Sequence, residues 1–317
     1  MGNELRGLPY ENHIDANGRR RHSGHGAAQL RNPCCQGFTD MTYCVAMLLD
    51  TGLVFLSDSL TSAGIDQIST FRKTTVFQNP GERVLVLQSA GNLAVTQAVT
   101  SLLHEQIDSA ESTANLMTCP NLFEAARLVG TALREVHRRD AAALKEFGVE
   151  FNASLILGGQ IRGEEPRLFS LYAAGNFIEA TRETTYFQIG ESKYGKPILD
   201  RVVRRSSSLS EAAKCALVSM DSTIRSNLAV GTPLDLVIVQ RDHMAVGRHA
   251  NIDGDNDYFR TLRRLWGEAL RDAFAELPEP VWLRTIVPAP AEAVASGSHD
   301  AGPVMPGIRR QPGPDRR

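Results

Sequence analysis

The chain has 317 residues, 42% of them hydrophobic, with 34 basic against 36 acidic side chains; it can bury one sizeable core or two modest ones, and its balanced charge argues against a dominant nucleic-acid-binding face. Its apolar runs, such as Cys44 to Leu49, are far too short to span a bilayer, and the N-terminus has no apolar signal core. The five cysteines (Cys34, Cys35, Cys44, Cys119 and Cys215) lack metal-ligand spacing and fit reduced thiols in a cytoplasm.

Residues 1–40 hold Gly, Asn, Arg and His without a hydrophobic period, including Arg19-Arg20-Arg21-His22, and read as a disordered extension. The core domain then runs over 41–283. Strands are predicted at Tyr43 to Asp50 and Gly52 to Leu60, then at Thr70 to Gln78 and Arg83 to Gln88 across the turn Asn79-Pro80-Gly81. Helical spacing follows at Leu93 to Gln106 and Leu122 to Phe147. Strands return at Ala153 to Ile161, Arg167 to Ala174 and Thr185 to Ile189. A helix at Leu209 to Asn227 precedes a hairpin of Asp235 to Arg241 with Met244 to Arg248, and a last helix spans Tyr258 to Glu276. Residues 284–317 form a Pro/Ala-rich tail, again read as disordered. Strand runs alternating with helix pairs point to an α+β protein of antiparallel sheets covered by helices. A four-layer α-β-β-α sandwich satisfies this order, although the order alone does not select it.

The informative stretch is Met41-Thr42-Tyr43-Cys44-Val45-Ala46, then Leu56-Ser57-Asp58, Ala63-Gly64-Ile65-Asp66 and Thr70-Phe71-Arg72-Lys73. Together these resemble Anbu, the ancestral β subunit, a bacterial family related to proteasome β subunits and HslV. The resemblance covers about 41 to 280. It implies the N-terminal-nucleophile hydrolase sandwich of two antiparallel sheets and a threonine-type endopeptidase that needs no cofactor. It also implies a homo-oligomeric ring or open helical ring acting on peptide or unfolded protein. A partner ATPase or operon partner is left open.

Thr42 is the candidate nucleophile. A Thr hydroxyl needs an adjacent base, and a chain beginning at Thr42 would supply its own α-amine, which titrates near ~8. Forty-one residues stand before it. Either translation starts at Met41, where the resemblance begins, or residues 1–40 are a propeptide; if they stay attached, the enzyme is dead. The resemblance assigns Lys73 to lowering the proton affinity of the nucleophile and its base, and Asp58 to holding Lys73 charged, consistent with a buried Lys beside a carboxylate. Taken singly, each has an ordinary reading as a surface Lys or a turn Asp. Lys73 falls one residue earlier than in proteasome subunits, and Leu60 stands where many relatives have Arg.

The resemblance also makes Gly91, in Ser89-Ala90-Gly91, the oxyanion donor, and Asp221 the group positioning the amine, with Ser226 in support. Ile189-Gly190-Glu191-Ser192 matches a Gly-Ser segment near the amine, with Glu191 in the place of Ser, so Ser192 is a weaker candidate. Two motifs fail: Gly190 to Lys196 has P-loop spacing but Pro197 in the Ser/Thr place, and Asp253, Asp255 and Asp257 mimic an EF-hand start with Tyr258 in the Gly place. Two rivals stand beside the peptidase: an amidase or transferase acting on small amides, and an assembly protein with a vestigial site.

Overall fold

The computed structural model describes residues 42–62, 68–109 and 114–282; the readings of 1–40, 284–317 and Ala63-Gly64-Ile65-Asp66 lie outside these. β1 (Tyr43–Leu49) and β2 (Gly52–Asp58) form a hairpin. Both are buried along their whole length because the sheet they belong to is covered on both faces. β3 (Leu60–Ser62) and β4 (Ile68–Thr70) pair as a separate ribbon. β5 (Thr74–Asn79) and β6 (Arg83–Gly91) follow, then α1 (Leu93–Asp108) and α2 (Leu122–Glu146). β7 (Ala153–Ile161), β8 (Arg167–Leu171), β9 (Phe177–Glu179) and β10 (Tyr186–Gly190) precede α3 (Lys196–Val202) and α4 (Leu209–Ser226). β11 (Leu234–Gln240), β12 (Arg248–Ile252) and α5 (Asp257–Ala275) complete the order.

Two five-stranded antiparallel sheets result, β10-β1-β2-β11-β12 and β5-β6-β7-β8-β9. Phe55, Val86, Ile156, Leu168 and Val237 fill the space between them. On the outer face of the second sheet, Leu87, Leu157 and Phe169 meet Val99, Val129 and Leu133 of α1 and α2. α4 packs on β1, β2 and β11, with α3 beside it. The four-layer α-β-β-α sandwich is therefore present. α4 opens with a capping box, Ser208 and Glu211 each accepting from the other's backbone N–H. The chain divides into two compact units after Arg263, the second containing the later turns of α5.

Two predicted strands need correction. Thr70 to Gln78 is not one strand: β4 ends at Thr70, Phe71 to Lys73 lie outside any ladder, and β5 starts at Thr74. Met244 to Arg248 is mostly loop, and β12 begins only at Arg248. Asp242 and Met244 adopt left-handed backbone (φ 66° and 46°), which a strand excludes. Apolar Met244 and Val246 mimic a strand because they bury themselves from the loop, Val246 against the inter-sheet core. The short β9 went unpredicted.

Candidate active site

Thr42 stands immediately before β1 and is buried. Its carbonyl oxygen accepts the backbone N–H of Glu191 at 2.7 Å. Gly190, which pairs with Tyr43 across the β1–β10 ladder, has φ 78°, and a Cβ there would lie 1.9 Å from the Thr42 oxygen. Only glycine lets this strand end close on the threonine. The sequence match in this segment is thus carried by the backbone of Gly190 and Glu191, whatever side chain position 191 bears. The Glu191 carboxylate turns to the Asn227 amide at 3.1 Å and Lys193 at 3.3 Å; Ser192 donates its backbone N–H to the Gly190 carbonyl.

Asp58 is the last residue of β2 and is fully buried. Its carboxylate accepts Lys73 Nζ on both oxygens at 2.9 Å and the backbone N–H of Tyr43 at 3.0 Å. Lys73, also buried, donates in addition to the Leu60 carbonyl at 2.7 Å. Three N–H groups thus meet three acceptors, so Lys73 acts on a neighbouring hydroxyl through its charge. Because position 60 is used through its backbone, the Leu in place of Arg leaves this bond intact. Burial raises the Asp58 carboxyl to about 6, against the pull of Lys73 and of the Tyr43 and Gly231 N–H groups. At neutral pH the Asp58 carboxyl is therefore ionised. The same burial pushes the neighbouring Cys44 thiol far up, leaving it inert.

Gly91 closes β6 with φ 113°, and a Cβ there would meet the Asn152 carbonyl at 2.4 Å. It follows Ser89, whose N–H bonds the Lys73 carbonyl at 2.9 Å, so the β6 end and Lys73 share one corner of the second sheet. Asp221 is buried in α4, but its carboxylate is taken by Arg225 at 3.1 Å and Arg263 at 2.5 Å. Ser226 ends α4 and is exposed. The geometry thus ties Thr42, Asp58 and Lys73 together through Tyr43 and sets Gly91 beside Ser89, while Asp221 faces arginines.

Sequence reasoning missed the support beneath Tyr43. Its hydroxyl lies 2.5 Å from Ser219 Oγ and accepts Gln188 Nε2 at 2.6 Å. A Cβ on Gly195 would come within 2.3 Å of that Ser219 oxygen. The available signal was a tyrosine in an otherwise apolar strand, since a buried phenol calls for a partner. Among the described residues no three His, Cys, Asp or Glu side chains group to hold a metal, and no helix is long and apolar enough to cross a membrane.

The proteasome subunit family profile matches residues 42–239, beginning on the threonine itself. Anbu from Yersinia bercovieri is 54% identical over 75% of this chain and 98% of its own, with a TM-score of 0.71. The chain belongs to the proteasome subunit family, in its Anbu branch. Anbu from Hyphomicrobium sp. strain MC1 is 52% identical, over 75% of this chain and 99% of its own, with a TM-score of 0.70. The Anbu complex of Pseudomonas aeruginosa, solved as a helical assembly, is 49% identical over 75% and 98%, with a TM-score of 0.72. The proteasome β subunit of Haloferax volcanii is 24% identical over 168 residues, 53% of this chain and 62% of that protein. This Anbu-type chain therefore matches less than two thirds of that curated relative's length.

Proposed function

We propose that this Anbu-family chain is a threonine peptidase whose nucleophile is Thr42 once the residues before it are removed. The carrying observation is the Asp58 carboxylate, which joins the Lys73 ammonium to the backbone N–H of the residue directly after Thr42. A fixed positive charge is thereby held next to the start of β1. In this reading the free α-amine of Thr42 takes the Oγ proton as Oγ attacks the peptide carbonyl. The Lys73 charge favours the developing alkoxide, and the Gly91 N–H receives the oxyanion. The amine then returns the proton to the leaving nitrogen, the C–N bond breaks, and an ester to Thr42 remains. A water deprotonated by the same amine hydrolyses that ester, releasing a carboxylic acid. Asp221, held by Arg225 and Arg263, and Ser226, exposed at the end of α4, take no part in these steps.

Subunits of this kind would work in a homo-oligomer, a reading supported by the helical assembly of the Pseudomonas aeruginosa relative, and in this proposal they act in the cytoplasm on peptides or unfolded protein. The test is the intact mass of the expressed protein beside hydrolysis of a fluorogenic peptide. Processing to Thr42 and turnover, both present in wild type, with turnover lost in Thr42→Ala, is the expected result. Turnover by protein that still carries residues 1–41 would refute the mechanism, because the nitrogen of Thr42 is then an amide and cannot act as base.

A further inference from the structure

A cavity of about 270 Å³ opens between the start of β5, the end of β6 and the first turns of α1. Its size suits one amino-acid side chain better than a drug-sized ligand. It adjoins the site on two sides: Arg72 precedes Lys73, and Ser89 lies two residues before Gly91. A carbonyl set on the Gly91 N–H would therefore carry its own side chain toward this opening.

The lining has a definite chemical sign. Arg72, Thr75, Ser89, Gln97 and His104 contribute a guanidinium, two hydroxyls, an amide and an imidazole, and no carboxylate lines the cavity. Arg72 is exposed and has no ion-pair partner among the described residues, in contrast to buried Arg83, which is bonded to Glu82 and to the Cys119 carbonyl. The hydroxyls of Thr96 and Thr100 are spent on helix carbonyls, whereas those of Thr75 and Ser89 have no hydrogen bond among the described residues. α1 has no acidic residue in its first turn; its N-cap Asn92 accepts the N–H groups of Ala94 and Val95 without adding negative charge there. A cationic fork with unused donors around it is complementary to a carboxylate. An apolar side chain would find only Leu93 as an apolar wall and use none of these donors, and a basic one would meet Arg72.

We propose that this cavity receives the side chain on the acyl side of the scissile bond and selects a carboxylate, so that cleavage follows acidic residues. The inference rests on the peptidase reading above and names its substrate class; Arg72 is the specificity-determining residue. The experiment uses the full chain as expressed and processed, with three reporter peptides differing only in Glu, Leu or Lys before the reporter. Matching Glu and Leu peptide epoxyketones, electrophiles that bond both the hydroxyl and amine of an N-terminal threonine, are scored by the mass added at Thr42. Wild type is expected to turn over the Glu peptide with a kcat/KM about tenfold or more above the other two, the scale of a charge-assisted contact. Arg72→Gln should bring the Glu-to-Leu ratio close to one, and Arg72→Glu should shift preference toward Lys. Labelling by the Leu epoxyketone shows that each variant has folded. Equal or better turnover of the Leu or Lys peptide by wild type, or an unchanged ratio in Arg72→Gln, overturns the acidic preference and leaves the peptidase reading standing. If neither peptide nor epoxyketone reacts at Thr42, the peptidase reading falls and this inference falls with it.

Discussion

Asp58 holds a proton more tightly in the folded protein than in the unfolded chain, because burial lifts its carboxyl from 3.8 to about 6. For a raised acid the stabilising share is complete below 3.8 and is lost as pH rises through about 6. Acidification should therefore silence the site without unfolding it through this residue. As pH drops, log kcat/KM should fall with a slope of about one once the terminal amine takes its proton near ~8. Below about 6 the slope should steepen, since Asp58 then releases Lys73. Circular dichroism should be unchanged across that range, and activity should return on neutralisation. A single slope through the acid limb would deny Asp58 its part. Lys73→Met tests the same pair by stability: it leaves a buried carboxylate without its cation, at a cost of about 3–5 kcal/mol. Adding Asp58→Asn should restore much of that loss in urea unfolding; additive losses would show the two side chains to be independent. At this scale the sequence was legible where spacing and resemblance named Asp58 and Lys73 together. It was blind to Tyr43, Ser219 and Gln188, because their meeting is made by α4 and β10 closing over β1, a long-range event with no local signature.

At the level of elements, long uniform patterns were readable and places where two rules compete were not. β7 occupies the predicted span, and α1, α2 and α4 agree within two residues at either end, since their apolar periodicity also buries them. The pattern broke at Phe71 to Lys73, where a segment outside the ladders brings Lys73 onto Asp58, and at Met244 to Val246, where burial occurs without a ladder. The strand end at Gly190 is the most consequential. Gly190→Ala would need a left-handed residue with a methyl group 1.9 Å from the Thr42 oxygen, and backbone cannot yield as a side-chain tip can. The expected cost is about 1–3 kcal/mol from strain and overpacking, with turnover falling by more than that loss explains because Thr42 is displaced. Ser208→Ala is the matched control on α4: losing its cap should cost about 1 kcal/mol and leave kcat/KM alone. Equal effects of the two variants on kcat/KM would mean that Gly190 only supports the fold.

For the whole molecule, α5 stands out as an apolar stripe that is buried at its start and exposed further along. Phe259, Leu262, Trp266, Leu270 and Phe274 of α5 recur at three- and four-residue steps along one stripe, and Leu277 follows just past the helix end. Phe259 and Leu262 are buried, yet Leu270 is 50%, Phe274 77% and Leu277 64% exposed. A stripe of this kind continuing into solvent is typical of a contact surface, and the Pseudomonas aeruginosa relative was solved as a helical assembly. The sequence showed the stripe but not which half a subunit covers by itself, since burial within one chain and burial between chains have the same periodicity. Light scattering on the purified protein should give a mass of several subunits. Leu270→Asp with Phe274→Asp should lower that mass while leaving thermal unfolding near wild type, because neither side chain is buried in the subunit. An assembly of unchanged mass would place the contacts elsewhere on the surface, and a collapse in stability would mean the stripe is held within the subunit after all.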